Sequence, residues 1–180
     1  MFQIWACKQV MGVAGTNLYQ SKYQPNHNPK CPSCTRCIES CSHVLECQEE
    51  GRVEAFLGTI GFLDIWMKKI GTDEGLRNCL VRYAKGRGAI TMKDMVGNRT
   101  HCLYPLGQSQ DLIGWIRFME GMISKEITGI QKSYLALSSY YLSIERWITG
   151  LITAFLEVTD GKWLYRNVHV KDSISVTTAT

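Results

Sequence analysis

Val53, Phe56, Leu57, Ile60, Leu63, Met67 and Ile70 recur at steps of three and four. That spacing gathers them on one side of an α-helix. The pattern predicts a helix of about five turns that ends at Gly71, a residue suited to a helix terminus. Gly51, Gly58 and Gly61 lower its intrinsic stability, so packing must hold it. Thr72 is placed to cap a further helix, with Asp73 and Glu74 in its first turn near the positive dipole end. Leu76, Cys79, Leu80 and Tyr83 form the buried stripe of that helix, which makes Cys79 a small buried hydrophobe. From Gln108 onward helix dominates. Leu112, Trp115, Ile116, Met119 and Ile123 make one stripe, and Ile127, Ile130, Gln131, Tyr134 and Leu137 continue it after Gly121 or Ser124. Ser138 and Ser139 mark a turn. Ile144, Trp147, Ile148, Leu151, Ile152, Phe155, Leu156, Thr159 and Trp163 then define a long helix to about Val170. These aromatics follow core spacing, which fits a core better than a base-stacking platform.

The N-terminal part is less regular. Phe2 to Tyr19 reads as a short helix with Trp5, Val10, Val13 and Leu18 on a broad apolar side, weakened by Gly12 and Gly15. Pro25, Asn26, Asn28 and Pro29 make 24–30 a loop. Strand signals and repeats are lacking. The expected class is all-α: a helical domain with a small Cys/His zinc knuckle near the N-terminus. The expected organisation is 1–84 (N-terminal helix, knuckle at 31–47, two helices), a linker or mobile loop at 85–107, a helical bundle segment at 108–171 and a frayed tail at 172–180. Gly86, Gly88, Gly97, Pro105 and Gly107 suggest the linker.

Hydrophobic content of 45% with 20% charged residues is that of a chain that folds. Twenty Lys and Arg against sixteen acids leave +4, compatible with a nucleic-acid partner without requiring one. The charge is uneven. Arg82, Lys85, Arg87, Lys93 and Arg99 fall within 82–99 against Asp94 alone, so this stretch is the weak candidate for nucleic-acid contact, with a solvated linker as the plainer reading. No secretory signal or membrane-length apolar run is visible. Eight cysteines without such a signal point to a reducing, intracellular location, cytoplasmic or nuclear, where clustered thiols serve as metal ligands more often than as disulfides. On that view the Asn98-Arg99-Thr100 glycosylation triplet carries no meaning.

Five of the eight cysteines fall within 31–47. Two ligand sets compete there. Cys31, Cys34, His43 and Cys47 are spaced C-x2-C-x8-H-x3-C, a workable tetrahedral cage in which a turn supplies two thiolates and a helix an i, i+4 pair. Cys31, Cys34, Cys37 and Cys41 instead have the C-x2-C-x2-C-x3-C spacing of an iron–sulfur run, whose fourth cysteine in two-cluster proteins ligates the other cluster. A second run is missing, Ser42 replaces the usual proline, and this set leaves His43 and Cys47 unused. Zinc, one structural Zn2+, is therefore favoured. Three thiolates on a dication leave one net negative charge, which Lys30 and Arg36 could offset. His101-Cys102 reads as incidental.

Cys31-Pro-Ser-Cys34 followed by His43-Val-Leu-Glu-Cys47 resembles the cysteine/histidine region downstream of the reverse-transcriptase domain in many retroelement-encoded, largely uncharacterised proteins. The flanks resemble it too. Lys8-Gln-Val-Met-Gly-Val-Ala-Gly-Thr-Asn-Leu18 looks like the basic, glycine-containing helix before the cysteines. Ile113-Gly-Trp-Ile-Arg-Phe-Met-Glu-Gly-Met-Ile-Ser-Lys-Glu126 and Trp163-Leu-Tyr-Arg-Asn-Val168 look like two later blocks. The likeness runs from about Trp5 to Asp172, and Ile127 stands where the similar proteins tend to have tryptophan. The resemblance implies a post-polymerase module, since Tyr-x-Asp-Asp and clustered metal-binding acids are both missing.

The catalytic inventory is thin. His27, His101 and His169 lack a Ser or Cys partner at a recognisable spacing, and Gly86-Arg-Gly88 lacks the rest of a phosphate loop. Arg166-Asn167 has Lys171 where an all-helical ribonuclease would need histidine, and Arg166 reads as a helix-end surface residue. The expected function is that of a non-catalytic, zinc-stabilised helical module binding RNA or single-stranded DNA nonspecifically. The alternatives are a protein partner docked on apolar helices without nucleic-acid binding, or an iron–sulfur protein. No membrane role is expected.

Overall fold

A computed structural model of the chain describes residues 2–97, 99, 101–138 and 142–177, with side chains described from Trp5 to Val168. Among these residues the fold is all-α, with helices α1 (Phe2–Val10), α2 (Asn17–Ser21), α3 (Cys41–Glu46), α4 (Glu50–Lys69), α5 (Glu74–Gly86), α6 (Met92–Val96), α7 (Tyr104–Ile113), α8 (Trp115–Met119), α9 (Lys125–Leu137) and α10 (Ile144–Thr177). The one extended pairing among the described residues is an isolated antiparallel bridge between Lys30 and Ile38. No helix among the described residues is long and apolar enough to cross a membrane. Ser139, Asn98, Thr100 and residues 178–180 lie outside the described residues, as do the side chains of His169 and Lys171.

The chain divides into two compact units, Met1–Gly58 with Thr159–Thr180, and Thr59–Val158. The divisions fall inside α4 and α10. The stretch expected as a linker, 85–107, instead holds the end of α5, all of α6 and the first turn of α7. Residues 172–177, expected to fray, continue the α10 backbone. The single helix expected over 2–19 is two, because Gly12 takes φ +69° and breaks it.

The unit of 59–158 has an ordinary apolar core. Ile60, Leu63, Met67, Leu76, Leu80, Phe118, Ile127, Trp147, Leu151 and Phe155 are buried. Tyr83 meets Phe118 edge-on at 5.0 Å, and Phe118 meets Phe155 at 4.4 Å. Two fully buried glutamines tie its turns. Gln131 donates to Gly71 O at 2.9 Å and accepts from Asp73 N at 2.9 Å. Gln110 donates to Met122 O at 3.2 Å and accepts from Ser124 N at 2.9 Å. Each satisfies backbone groups that a turn would otherwise leave unpaired. The cap of α5 is Asp73, which accepts from Leu76 N at 2.8 Å. Thr72, expected in that role, is buried and accepts from Trp147 Nε1 at 3.0 Å. The stripe expected after Gln108 is split by Gly114, at φ +86°, into α7 and α8. As a result Leu112 is 91% exposed.

Helices α6 and α7 approach closely at Gly107. A Cβ there would lie 2.8 Å from Lys93 Cα and 2.9 Å from its nitrogen, both backbone atoms that cannot rotate away. Gly107→Ala should therefore lower stability by about 1–3 kcal/mol, read as an earlier urea midpoint at unchanged slope.

The unit of 1–58 and 159–180 is built differently. Among its described side chains the buried apolar set is short (Ala14, Cys31, Val44, Leu45, Cys47 and Phe56), while Gln9, Thr16, Glu39, Arg52, Thr159, Lys162 and Arg166 are also buried. So few apolar side chains give little area to offset the chain entropy of a loop-rich segment. Polar contacts and the cysteine cluster must supply the rest.

Candidate metal centre

The bridge between Lys30 and Ile38 closes the first half of the knuckle. Cys31 N donates to Cys37 O at 2.8 Å, Thr35 N to Cys31 O at 2.9 Å, and Glu39 N to Pro29 O at 2.8 Å. Thr35 takes φ +54°, a conformation few L-residues adopt, which curls the chain back after Cys34. Helix α3 forms the second half. Ser40 caps it by accepting from His43 N at 3.0 Å, and His43 lies in its first turns. Cys47 sits just past the helix as its C-cap, with its N–H on His43 O at 2.8 Å. The i, i+4 spacing still brings both ligands to one side.

Cys31, Cys34, His43 and Cys47 each present one ligand atom, and all four atoms lie within 4.8 Å of one another. Cys31 Sγ is 3.8 Å from Cys47 Sγ, and Cys34 Sγ is 3.4 Å from His43 Nε2. Zn–S bonds of about 2.3 Å in a tetrahedron separate two sulfurs by about 3.8 Å, and a sulfur and a nitrogen by slightly less. The group could hold a metal ion. Cys37 and Cys41, the remaining members of the iron–sulfur spacing, do not join it, and Cys37 is exposed.

Burial pushes the Cys31 thiol up to about 11, against the N–H groups of Cys34 and Ser33 and the charge of Arg52. Burial acts the same way on Cys34. There, the backbone N–H groups of Cys37 and Arg36, with the His43 ring and Cys31, outweigh it and bring the thiol to about 6. The two sulfurs thus differ: one is disposed to ionise by its own turn, and the other loses its proton readily only to a cation.

The other residues singled out in the sequence are not drawn together at this centre. Arg82 and Lys85 are exposed on α5, Arg87 is its left-handed C-cap, Lys93 is half-buried on α6 and Arg99 is exposed. The carboxylate of Asp111 accepts from Met92 N at 2.7 Å and from Lys93 N at 2.9 Å, which adds an acid to this basic region. His101 and Cys102 are exposed, and neither belongs to a metal-holding group among the described residues.

A buried ionic network behind the knuckle escaped the sequence reading. Glu39 has no exposed side-chain surface. Arg166 donates to it twice, Nε to Oε1 at 3.0 Å and Nη2 to Oε2 at 2.6 Å. Asn17 N donates to Oε2 at 2.8 Å, and Asn17 Oδ1 accepts from Arg166 Nη2 at 2.8 Å. Arg52 Nη2 stands 3.6 Å from Glu39 Oε1, and Arg52 Nε donates to Ser33 Oγ at 2.9 Å. Lys162 donates to Leu45 O at 2.8 Å, in the last turn of α3, and lies 4.4 Å over the Phe56 ring. Arg166, expected at the surface near a helix end, is thus a buried residue within α10. A signal was available. The buried stripe Phe56, Ile60, Leu63, Met67 extends one turn back to Arg52, and Trp147, Leu151, Phe155, Val158 extends on to Lys162 and Arg166 at helical steps.

Comparison with protein families, with curated proteins and with solved structures finds no match for this chain.

Proposed function

We propose that the chain is a non-catalytic, zinc-stabilised helical module of retroelement origin that holds single-stranded nucleic acid nonspecifically. The convergence of the Cys31, Cys34, His43 and Cys47 ligand atoms carries the metal part of this reading. Three thiols and one imidazole form a soft donor set, and their spacing suits the four-coordinate site of structural zinc. All four positions are filled by protein, leaving no open position for substrate, as expected of a structural site. The retroelement origin is supported by the order of the cysteine/histidine region and the later blocks 113–126 and 163–168.

Arg82, Lys85 and Arg99, all exposed, are the residues that would meet phosphates, with Arg87 and Lys93 half-buried beside them. Fluorescence anisotropy with labelled RNA and single-stranded DNA, titrated with salt, tests this. Binding should weaken steeply as salt rises, and each phosphate contact removed by Arg82→Gln, Lys85→Gln or Arg99→Gln should flatten the log–log slope by about 0.7. A chain that binds neither strand at low salt ends the nucleic-acid part of the proposal.

A second reading rests on α4, where Phe62 is 74% and Ile65 64% exposed. Large apolar side chains this open suit a protein partner. A discrete complex in solution, with no affinity for either nucleic acid, would favour it.

A further inference from the structure

Arg52 is 1% exposed, yet its two terminal nitrogens, Nη1 and Nη2, have no hydrogen-bond partner. Its nearest carboxylate oxygen, Glu39 Oε1 at 3.6 Å, is beyond hydrogen-bond reach, and Glu39 already accepts both donors of Arg166. Leaving guanidinium N–H groups buried and unpaired is costly. The third nitrogen, Nε, donates at 2.9 Å to Ser33, which lies between Cys31 and Cys34. That bond sets the guanidinium against the turn that carries two of the four ligands.

The charges behind the knuckle do not cancel among themselves. Among the described residues of this unit, Arg52, Arg166 and Lys162 are three buried cations against one buried acid, Glu39. Glu39 takes the bidentate bond of Arg166. Lys162 is met by the Leu45 carbonyl and the Phe56 face. Arg52 is left over. A zinc ion with three thiolates and a neutral imidazole carries one net negative charge. Lys30 and Arg36, the residues that sequence alone offers as its counter-charge, are both exposed and screened by water.

We propose that Arg52 is the positioning residue of the metal centre, its guanidinium giving the thiolate cluster both a buried counter-charge and N–H donors. The inference rests on the metal reading above. The ligand is a soft, thiophilic divalent cation, and the centre and Arg52 complete each other. The loaded cluster satisfies the unpaired nitrogens, and the guanidinium lowers the cost of burying three thiolates. Arg52 also joins the start of α4 to the knuckle, so loading the metal favours the packing of that helical turn. Partners of this kind around a metal commonly govern affinity by about tenfold to hundredfold.

Cobalt(II) reports on the sulfurs directly, because a thiolate that accepts N–H bonds is a poorer donor and its charge-transfer band moves to higher energy. The test compares the full chain with Arg52→Met, which keeps the bulk of the stem and removes charge and donors. Circular dichroism checks folding, cobalt titration gives the spectrum, and zinc competition gives the affinity. The expected result is a sulfur-to-cobalt band at longer wavelength in the variant and zinc affinity lower by at least about tenfold. A folded variant with an unmoved band overturns the proposal, even if affinity falls, since packing alone would then explain the loss. If Arg52→Met does not fold with metal present, Arg52→Leu replaces it. That variant also lacks charge and donors, so a shifted band supports the proposal and an unshifted band overturns it. A wild-type chain that takes up neither cobalt nor zinc removes the metal reading itself, an outcome separate from any property of Arg52.

Discussion

Purified from a zinc-supplemented preparation, the chain should carry about one zinc per molecule, and each of Cys31→Ala, Cys34→Ala, His43→Ala and Cys47→Ala should lose it. Cys37→Ala and Cys41→Ala should keep it, because their sulfurs lie outside the group of converging atoms. Elemental analysis after gel filtration reads the stoichiometry. The effect on structure should be large. Few of the described side chains in the unit holding the knuckle are buried and apolar, and structural zinc in small domains supplies an apparent binding free energy of about 10–16 kcal/mol. Chelation should therefore loosen this unit first and leave the apolar core of 59–158 to unfold separately, giving two transitions in place of one. Acid should act in the same direction. Cys31 holds its proton up to about 11 until a cation displaces it, so zinc uptake releases protons. Apparent affinity must then fall as pH falls. Zinc retained by His43→Ala, or a brown protein with visible absorbance, would overturn the ligand set proposed here.

Arg166→Met should cost about 3–5 kcal/mol, because it leaves the fully buried Glu39 without its bidentate partner. Glu39→Gln should cost less than the arginine change, since the amide is neutral and can still accept from Asn17 N. Combining the two should be clearly less harmful than the sum of the single changes, as expected for groups in direct contact. Guanidinium unfolding of the zinc-loaded proteins measures all three. If Arg166→Met lies within about 0.5 kcal/mol of wild type, the pair is not desolvated in solution. The same variants also bear on the sequence-based view of Arg166. A solvated helix-end residue would tolerate methionine with little change.

Where an element was long and strongly periodic, its sequence was enough to place it. The stripes Val53–Ile70 and Leu76–Tyr83 fold as the helices α4 and α5, and the apolar positions Trp147, Leu151 and Phe155 are wholly buried. Breaks were harder to see. Gly12 and Gly114 interrupt otherwise helical patterns by taking positive φ, and a glycine inside a pattern does not announce whether it will do so. Glycine-rich 85–107 reads as open chain, but α6 packs there because Gly107 lets its backbone come close, a tertiary demand with no local signature. The cap of α5 shows the same limit. Thr72 and Asp73 are adjacent capping residues, and the choice fell to Asp73 because the Trp147 indole takes the threonine hydroxyl.

Spacing along the chain was enough to single out Cys31, Cys34, His43 and Cys47 as the residues that come together, since a tight C-x2-C turn and an i, i+4 pair constrain where sulfurs and imidazole can point within a few residues. Period determined the all-helical class for the same reason: both are local rules. The company that the site keeps was decided by tertiary structure alone. Glu39, Arg52, Lys162 and Arg166 are charged residues that single-sequence logic sends to the surface, because burying one alone is prohibitive. They are buried here because partners as far apart as Glu39 and Arg166 meet in space and pay that cost jointly. Such a pairing depends on which segments come together, and no stretch of sequence contains it.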